Sequence, residues 1–273
     1  MQTIEIPLGS TIQRFSIFVI FLTTLLSSSP VYSQQGSITY IANEGVLIEK
    51  GDQKVLIDAL FDEFYEAYLS PTEATREMMI SGEVPYDQVN AVLTTHIHRD
   101  HFEPTIAGDF LKEHLESKFL STAQAGNSLK EYEHYEQLAN RIITHEKGTF
   151  TLTDEVNGIK VYSFFTEHSP GIENMGFVFE IGGSSILHLG DSNIDLERFK
   201  QLNLKQYNID VALVPYWYMS DEVGQKIINE EIRAEQLVGI HFPKAPSSMV
   251  LKTIEENYPE ATVFKTTGER VGF

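Results

Sequence analysis

Apolar and polar positions along this chain sort into short runs, and the runs fall into two similar halves. Residues 36–41 and 45–49 alternate with the period of two expected of strands, around a turn at Asn43-Glu44-Gly45. Residues 53–59 give a further strand ending in Val55-Leu56-Ile57-Asp58, and Ala91-Val92-Leu93 is a short, wholly apolar one. Residues 104–115 set Ile106, Phe110, Leu111 and Leu115 on one side of a helix. A short strand at 119–120, a helix at 123–138 and a strand at 141–144 follow. The second half is rich in strand. Residues 149–152 and 159–165 flank Asn157-Gly158, and 176–181 and 184–189 flank Gly182-Gly183, both hairpin signals. Strands at 210–214, 237–240 and 263–265 then alternate with helices at 221–236 and 246–257. Strands first and helices later in each half predict two sheets packed face to face with helices outside. That is a single α/β domain of four αββα layers.

Two stretches depart from this pattern. Residues 61–89 are dense in aromatics and methionine, and Ser70-Pro71-Thr72-Glu73 has the form of a helix start, with Ser70 as cap and Pro71 in the first turn. Two short helices joined by a loop are expected there, placed to act as a helical lid. At the N-terminus, Arg14 precedes the apolar run beginning Phe15-Ser16-Ile17-Phe18, and small residues follow up to Ser33. This is the layout of a secretory signal peptide over 1–33, with Val31 and Ser33 at the −3 and −1 positions, leaving 34–273 as the mature domain. The run is short for a membrane span, although an uncleaved anchor is the alternative. The expected location is therefore periplasmic or secreted.

Composition narrows the partners. The 273 residues include no cysteine and carry a formal net charge of −19. Disulfides and sulfur redox chemistry are excluded, and so acidic a chain repels phosphate backbones. A small-molecule substrate is expected rather than nucleic acid, with no stable membrane span after signal cleavage. Oligomeric state is left open.

The chemistry is concentrated in Thr94-Thr95-His96-Ile97-His98-Arg99-Asp100-His101, directly after the apolar run at 91–93. In extended backbone the rings of His96 and His98 leave the same face, and Asp100 and His101 follow where the chain turns. One loop could thus serve two neighbouring metal ions. Imidazole and carboxylate suit zinc, with iron or manganese as alternatives.

This His-x-His-x-Asp-His pattern resembles the signature of the metallo-β-lactamase superfamily, and the likeness runs from about Ile38 to the C-terminus. The resemblance implies a binuclear metallohydrolase. His168, in Thr166-Glu167-His168-Ser169-Pro170-Gly171, looks like the third histidine on a first ion beside His96 and His98. His241, in Gly239-Ile240-His241-Phe242-Pro243, looks like the last ligand of a second ion beside Asp100 and His101. Asp191, after Gly190, resembles the aspartate that bridges the two. Asp58 is implied to orient the histidine loop without binding metal. His114, His134, His145 and His188 are read as structural.

The mechanism so implied is hydrolysis by a metal-bridging hydroxide, with Asp100 orienting it and moving a proton, on an ester, lactone, amide or phosphodiester. Aspartate at 191 resembles the lactonase and phosphodiesterase branch rather than true β-lactamases. Tyr216, Trp217 and Tyr218 leave a strand between Asp191 and His241 and are candidate substrate contacts, as is Lys244. Two rival readings stand beside this one: a mononuclear iron oxygenase or thiol-oxidising enzyme of the same fold, and a metal-holding protein without turnover.

Overall fold

In the computed structural model, Thr3 and residues 35–273 are described. The secretory segment expected at 1–33 lies, but for Thr3, outside the described residues. No helix among the described residues is long and apolar enough to cross a membrane.

The alternating runs form two seven-stranded sheets. The first contains β1 (Ser37–Ala42), β2 (Gly45–Lys50), β3 (Gln53–Ile57), β4 (Ala91–Leu93), β5 (Lys118–Thr122) and β6 (Ile142–His145). The second contains β7 (Leu152–Val156), β8 (Ile159–Thr166), β9 (Asn174–Ile181), β10 (Ser184–His188), β11 (Val211–Pro215), β12 (Gln236–Ile240) and β13 (Thr262–Val263). The last strand, β14 (Arg270–Gly272), returns to pair with β1 at the edge of the first sheet. In both sheets an antiparallel half adjoins a parallel half. The parallel ladder is β3-β4-β5-β6 in one and β10-β11-β12-β13 in the other.

Successive residues of the central strands enter different layers. Val46 and Ile48, Val55 and Ile57, Phe177 and Phe179, and Val211 and Leu213 point between the sheets, and all are buried. Leu47, Leu56 and Val92 face the helices α1 (Glu73–Ser81), α2 (Pro104–Glu113), α3 (Ala123–Leu129) and α4 (Tyr135–Leu138). Val178, Leu187, Ala212 and Val214 face α5 (Leu196–Leu202), α6 (Tyr216–Ser220), α7 (Glu222–Lys226) and α8 (Ser248–Asn257). These are the four αββα layers expected. Each fully buried large apolar side chain contributes roughly 1.5–3 kcal/mol, enough collectively to hold strained loops at the sheet ends.

Several elements differ from expectation. Residues 61–89 contain one helix, not two. It starts at Glu73 because the Thr72 hydroxyl, not Ser70, accepts the Thr75 N–H, and it ends at Gly82 in the left-handed region. Residues 62–72 form a strap without helix, tied by Glu103 N–H to Leu60 O and Lys244 N–H to Ala67 O, both 2.8 Å. The expected helix 123–138 breaks after Leu129, where Tyr132 turns against Gly108 and its hydroxyl donates to Asp109 at 2.7 Å. The helix expected at 221–236 is α7, continued by a π turn at Ile227–Ile232 that stops at Arg233, φ 58°. The strand expected at 149–152 lies instead at Leu152–Val156.

Candidate metal centre

The loop 94–101 leaves the carboxyl end of β4 and is fixed from below by Asp58, at the end of β3. Asp58 accepts three hydrogen bonds: from Thr95 N at 2.7 Å, from the Thr95 hydroxyl at 2.5 Å and from His101 Nδ1 at 2.8 Å. With its own proton given to Asp58, the Thr95 hydroxyl oxygen accepts His96 Nδ1–H at 2.9 Å. Both rings are thereby turned so that Nε2 faces the centre.

His96, His98, His168 and Asp191 offer one group of converging ligand atoms. His98 Nδ1 stands 3.0 Å from His96 Nε2 and 3.1 Å from His168 Nε2. Asp191 Oδ2 lies 3.8 Å from His96 Nε2 and 3.7 Å from His168 Nε2. Asp100, His101 and His241 form a second group. His241 Nε2 is 3.8 Å from Asp100 Oδ2, and His101 Nε2 is 3.9 Å from the same oxygen. The other oxygen of Asp191, Oδ1, faces this group, 3.4 Å from His101 Nε2 and 3.2 Å from His241 Nε2. Donors sharing one ion at about 2.0–2.2 Å stand about 3–4 Å apart, so both groups fit a divalent cation. Asp191 Oδ1 and His241 Nε2 are buried without hydrogen-bond partners, as atoms reserved for a ligand would be. The structure thus brings together every residue that the sequence put forward for the two ions, and places Asp58 behind the histidine loop.

The β1–β2 turn, which the sequence offered only as a turn, reaches into this site. Asn43 Nδ2 donates to Asp100 Oδ2 at 3.1 Å and to the Asp100 carbonyl at 3.2 Å, and Asn43 O accepts His241 N–H at 3.0 Å. Glu44, beside it, is completely buried. Asn43, Asp58 and His241 all hold left-handed backbone, with φ 51°, 46° and 60°. Such positions cost on the order of 1–3 kcal/mol each and are characteristic of functional loops. Gly190, φ 57°, sits where a Cβ would meet Thr95 Cβ at 2.7 Å, so only glycine lets the Asp191 loop close on the histidine loop. Asn174 secures that closure, accepting Asp191 N–H at 3.2 Å and donating to Leu189 O at 3.1 Å.

The titration of these groups follows from burial and neighbours. Burial, with His101 beside them, lowers His96 and His98; burial likewise lowers His168. Burial would lower His101 too, but Asp191 and Asp58 outweigh it and hold that ring well above the usual range. Burial works against ionised Asp191, yet His241 and His101 keep its carboxyl well below the usual range. Glu44 is pushed well above it by burial and by Asp191.

Around the rim, Tyr68 from the strap lies edge-on to His241, ring centroids 4.6 Å apart, and Trp217 does so from the other side at 5.1 Å. Trp217 Nε1 donates to Ser192 O at 3.1 Å, so its indole is a fixed wall. Tyr216 is half-buried against Phe242. Tyr218 is a correction: it is turned into the core on Phe199, with its hydroxyl on Asn193 O at 2.7 Å, and faces no substrate. Lys244 is exposed and lines a cleft of about 400 Å³ with Leu69, Thr72 and Arg76. A second cleft of about 370 Å³ adjoins His168 and includes Lys147, Ser169 and Asn193. Of the remaining histidines, His114 stacks on Phe110, His134 pairs with Glu133, His145 binds Asp154 at 2.7 Å and His188 is buried beside Glu44.

The family model described as "Beta-lactamase superfamily domain" matches residues 53–245. A metal-dependent hydrolase from Staphylococcus aureus is 28% identical over 173 residues, which cover 58% of this chain and 70% of that one. Among solved structures, a possible metal-dependent hydrolase from Veillonella parvula superposes with a TM-score of 0.62 at 17% identity, covering 88% of this chain and 99% of that one. Igni18, a metallo hydrolase from Ignicoccus hospitalis, gives 0.59 at 18% identity, covering 88% and 98%. At these identities the likeness to solved structures is one of fold.

Proposed function

The chain belongs to the β-lactamase superfamily and is a metal-dependent hydrolase; from that premise we propose that it holds two divalent cations and cleaves an ester, lactone, amide or phosphodiester outside the cytoplasm. The observation that carries the two-cation reading is the division of Asp191, whose Oδ2 faces His96 and His168 while Oδ1 faces His101 and His241. The nitrogen-rich donor set favours zinc, with iron or manganese as alternatives. When bound, such a pair would lower the pKa of a coordinated water toward neutrality and polarise the bond to be cleaved.

The chain's own groups supply the rest. Asp100, its Oδ2 steadied by Asn43, is placed to take up a proton and return it to the leaving group. Tyr68, Trp217 and Tyr216 wall the His241 side and orient a bound substrate, and Lys244 offers a positive charge to an anionic portion of it. Export is supported by the basic residue, apolar run and small residues over 14–33, and the net charge of −19 speaks against a nucleic-acid substrate.

The test is elemental analysis of chelator-stripped, zinc-reloaded protein, combined with a panel of nitrophenyl esters, lactones and bis-(nitrophenyl) phosphate. The expected result is two zinc ions per chain and turnover that falls by about 10²–10⁴-fold in Asp100→Ala. A single iron per chain would favour the oxygenase reading. Two zinc ions without turnover on any member of the panel would leave a metal-holding protein.

A further inference from the structure

Glu44 is completely buried, and neither of its carboxylate oxygens has a hydrogen-bond partner. A lone carboxylate enclosed in this way opposes folding unless a positive charge offsets it. The turn gives it no way out. A Cβ on Gly45 would meet Asp58 O at 2.7 Å and Ala42 O at 2.9 Å, so the turn is pressed against the end of β3.

From the protein side His101 offers an offsetting charge, but that ring is itself one of the second-site ligands. His188 lies 3.9 Å away through Nδ1, but that atom already accepts Gly190 N–H at 3.2 Å, while Nε2–H donates to Glu44 O at 3.1 Å. Both ring nitrogens are spoken for, and the imidazole is neutral. Asp58 uses its oxygens on Thr95 and His101. The cluster of Glu44, Asp58 and His188 is therefore closed by its own hydrogen bonds and is not a third cation site. On its other side Glu44 has His101 and Asp191, with the ligand-type atoms of the three within 4.8 Å of one another. Among the described residues, none of the buried carboxylates of Glu44, Asp58, Asp100 and Asp191 pairs with a lysine or arginine. Four carboxylates balance two divalent cations.

We propose that Glu44 is an anionic positioning residue that tightens the second cation site through Asp191 and His101, without touching substrate. The inference rests on the two-cation reading above. Asp100, Asp191 and Asp58 each have a ligand or hydrogen-bonding role. Glu44 supplies the remaining negative charge from behind the site, where no solvent screens it.

The test is a zinc titration of the chelator-stripped protein against a chromophoric competitor, with melting curves recorded with and without zinc. Wild type should bind two ions. Glu44→Gln should bind the first with unchanged affinity and the second about 10- to 100-fold more weakly. The variant should gain less melting temperature than wild type on zinc addition. Glu44→Asp, which keeps the charge, should recover most of the second affinity. Glu44→Met, similar in volume and without polar atoms, makes the same comparison if Glu44→Gln is not recovered folded. Unchanged binding of the second ion in the neutral variants, or equal losses in Glu44→Asp and Glu44→Gln, overturns the proposal. A wild type that binds fewer than two ions overturns the two-cation reading itself.

Discussion

Burial holds His96, His98, His168 and His188 below the ordinary histidine value of 6.5. In the metal-free protein these rings are neutral at pH 7. As pH falls below 6.5, the unfolded chain takes up protons that the folded chain refuses at these positions, so acid favours unfolding. His101 acts in the opposite sense: its raised value contributes stability that is fully present below 6.5 and is lost as pH rises through that raised value. Glu44, held well above the carboxylate range, acts with His101, and the four rings outweigh these two. Chelator-treated protein should therefore lose stability between pH 7 and pH 5, measured as a falling urea midpoint. A midpoint that holds or rises on acidification would contradict the assignment. The candidate ligands could be read from sequence because imidazole and carboxylate at this spacing have few other uses. Asn43 and Glu44 could not, because Asn-Glu-Gly between two apolar strands is fully accounted for as a turn, and nothing in it marks a carboxylate that faces inward.

The loop after β10 is the element on which the centre most depends for closure. Gly190→Ala would place a methyl group 2.7 Å from Thr95 Cβ in a left-handed backbone. It should cost about 1–3 kcal/mol and, by moving Asp191, reduce bound zinc; melting curves and metal analysis read both. The central strands were legible because their residues are apolar on both faces, and the hairpins because Asn157-Gly158 and Gly182-Gly183 admit few alternatives. Elements set by tertiary contacts were not. The break after Leu129 is made by Tyr132 packing on Gly108, and the π turn at 227–232 has no local signal. In β14, Val271 is the only large apolar residue, and the strand exists because β1 offers it an edge. The expectation of two helices in 61–89 failed for a related reason: aromatic density in 61–72 reflects contacts with the site loops, such as Arg99 over Phe64 at 5.1 Å, rather than a helical face.

At the scale of the whole molecule, each candidate ion draws on both sheets. His96 and His98 come from the first sheet and His168 from the second; Asp100 and His101 come from the first and His241 from the second, with Asp191 between them. Neither half of the chain holds a complete set. The two halves are joined by the exposed connection at 146–151, which runs from β6 to β7, the last strand of each sheet. On the two-cation reading, the ions would clasp this seam as well as form the reactive centre. Cutting the chain within that connection would give two fragments that share a broad apolar face but only part of each ligand set. Co-expressed, they should reassemble into one particle in the presence of zinc and separate when it is withdrawn, as size-exclusion chromatography would reveal. The chemistry and the cohesion of this protein would then answer to the same supply of metal.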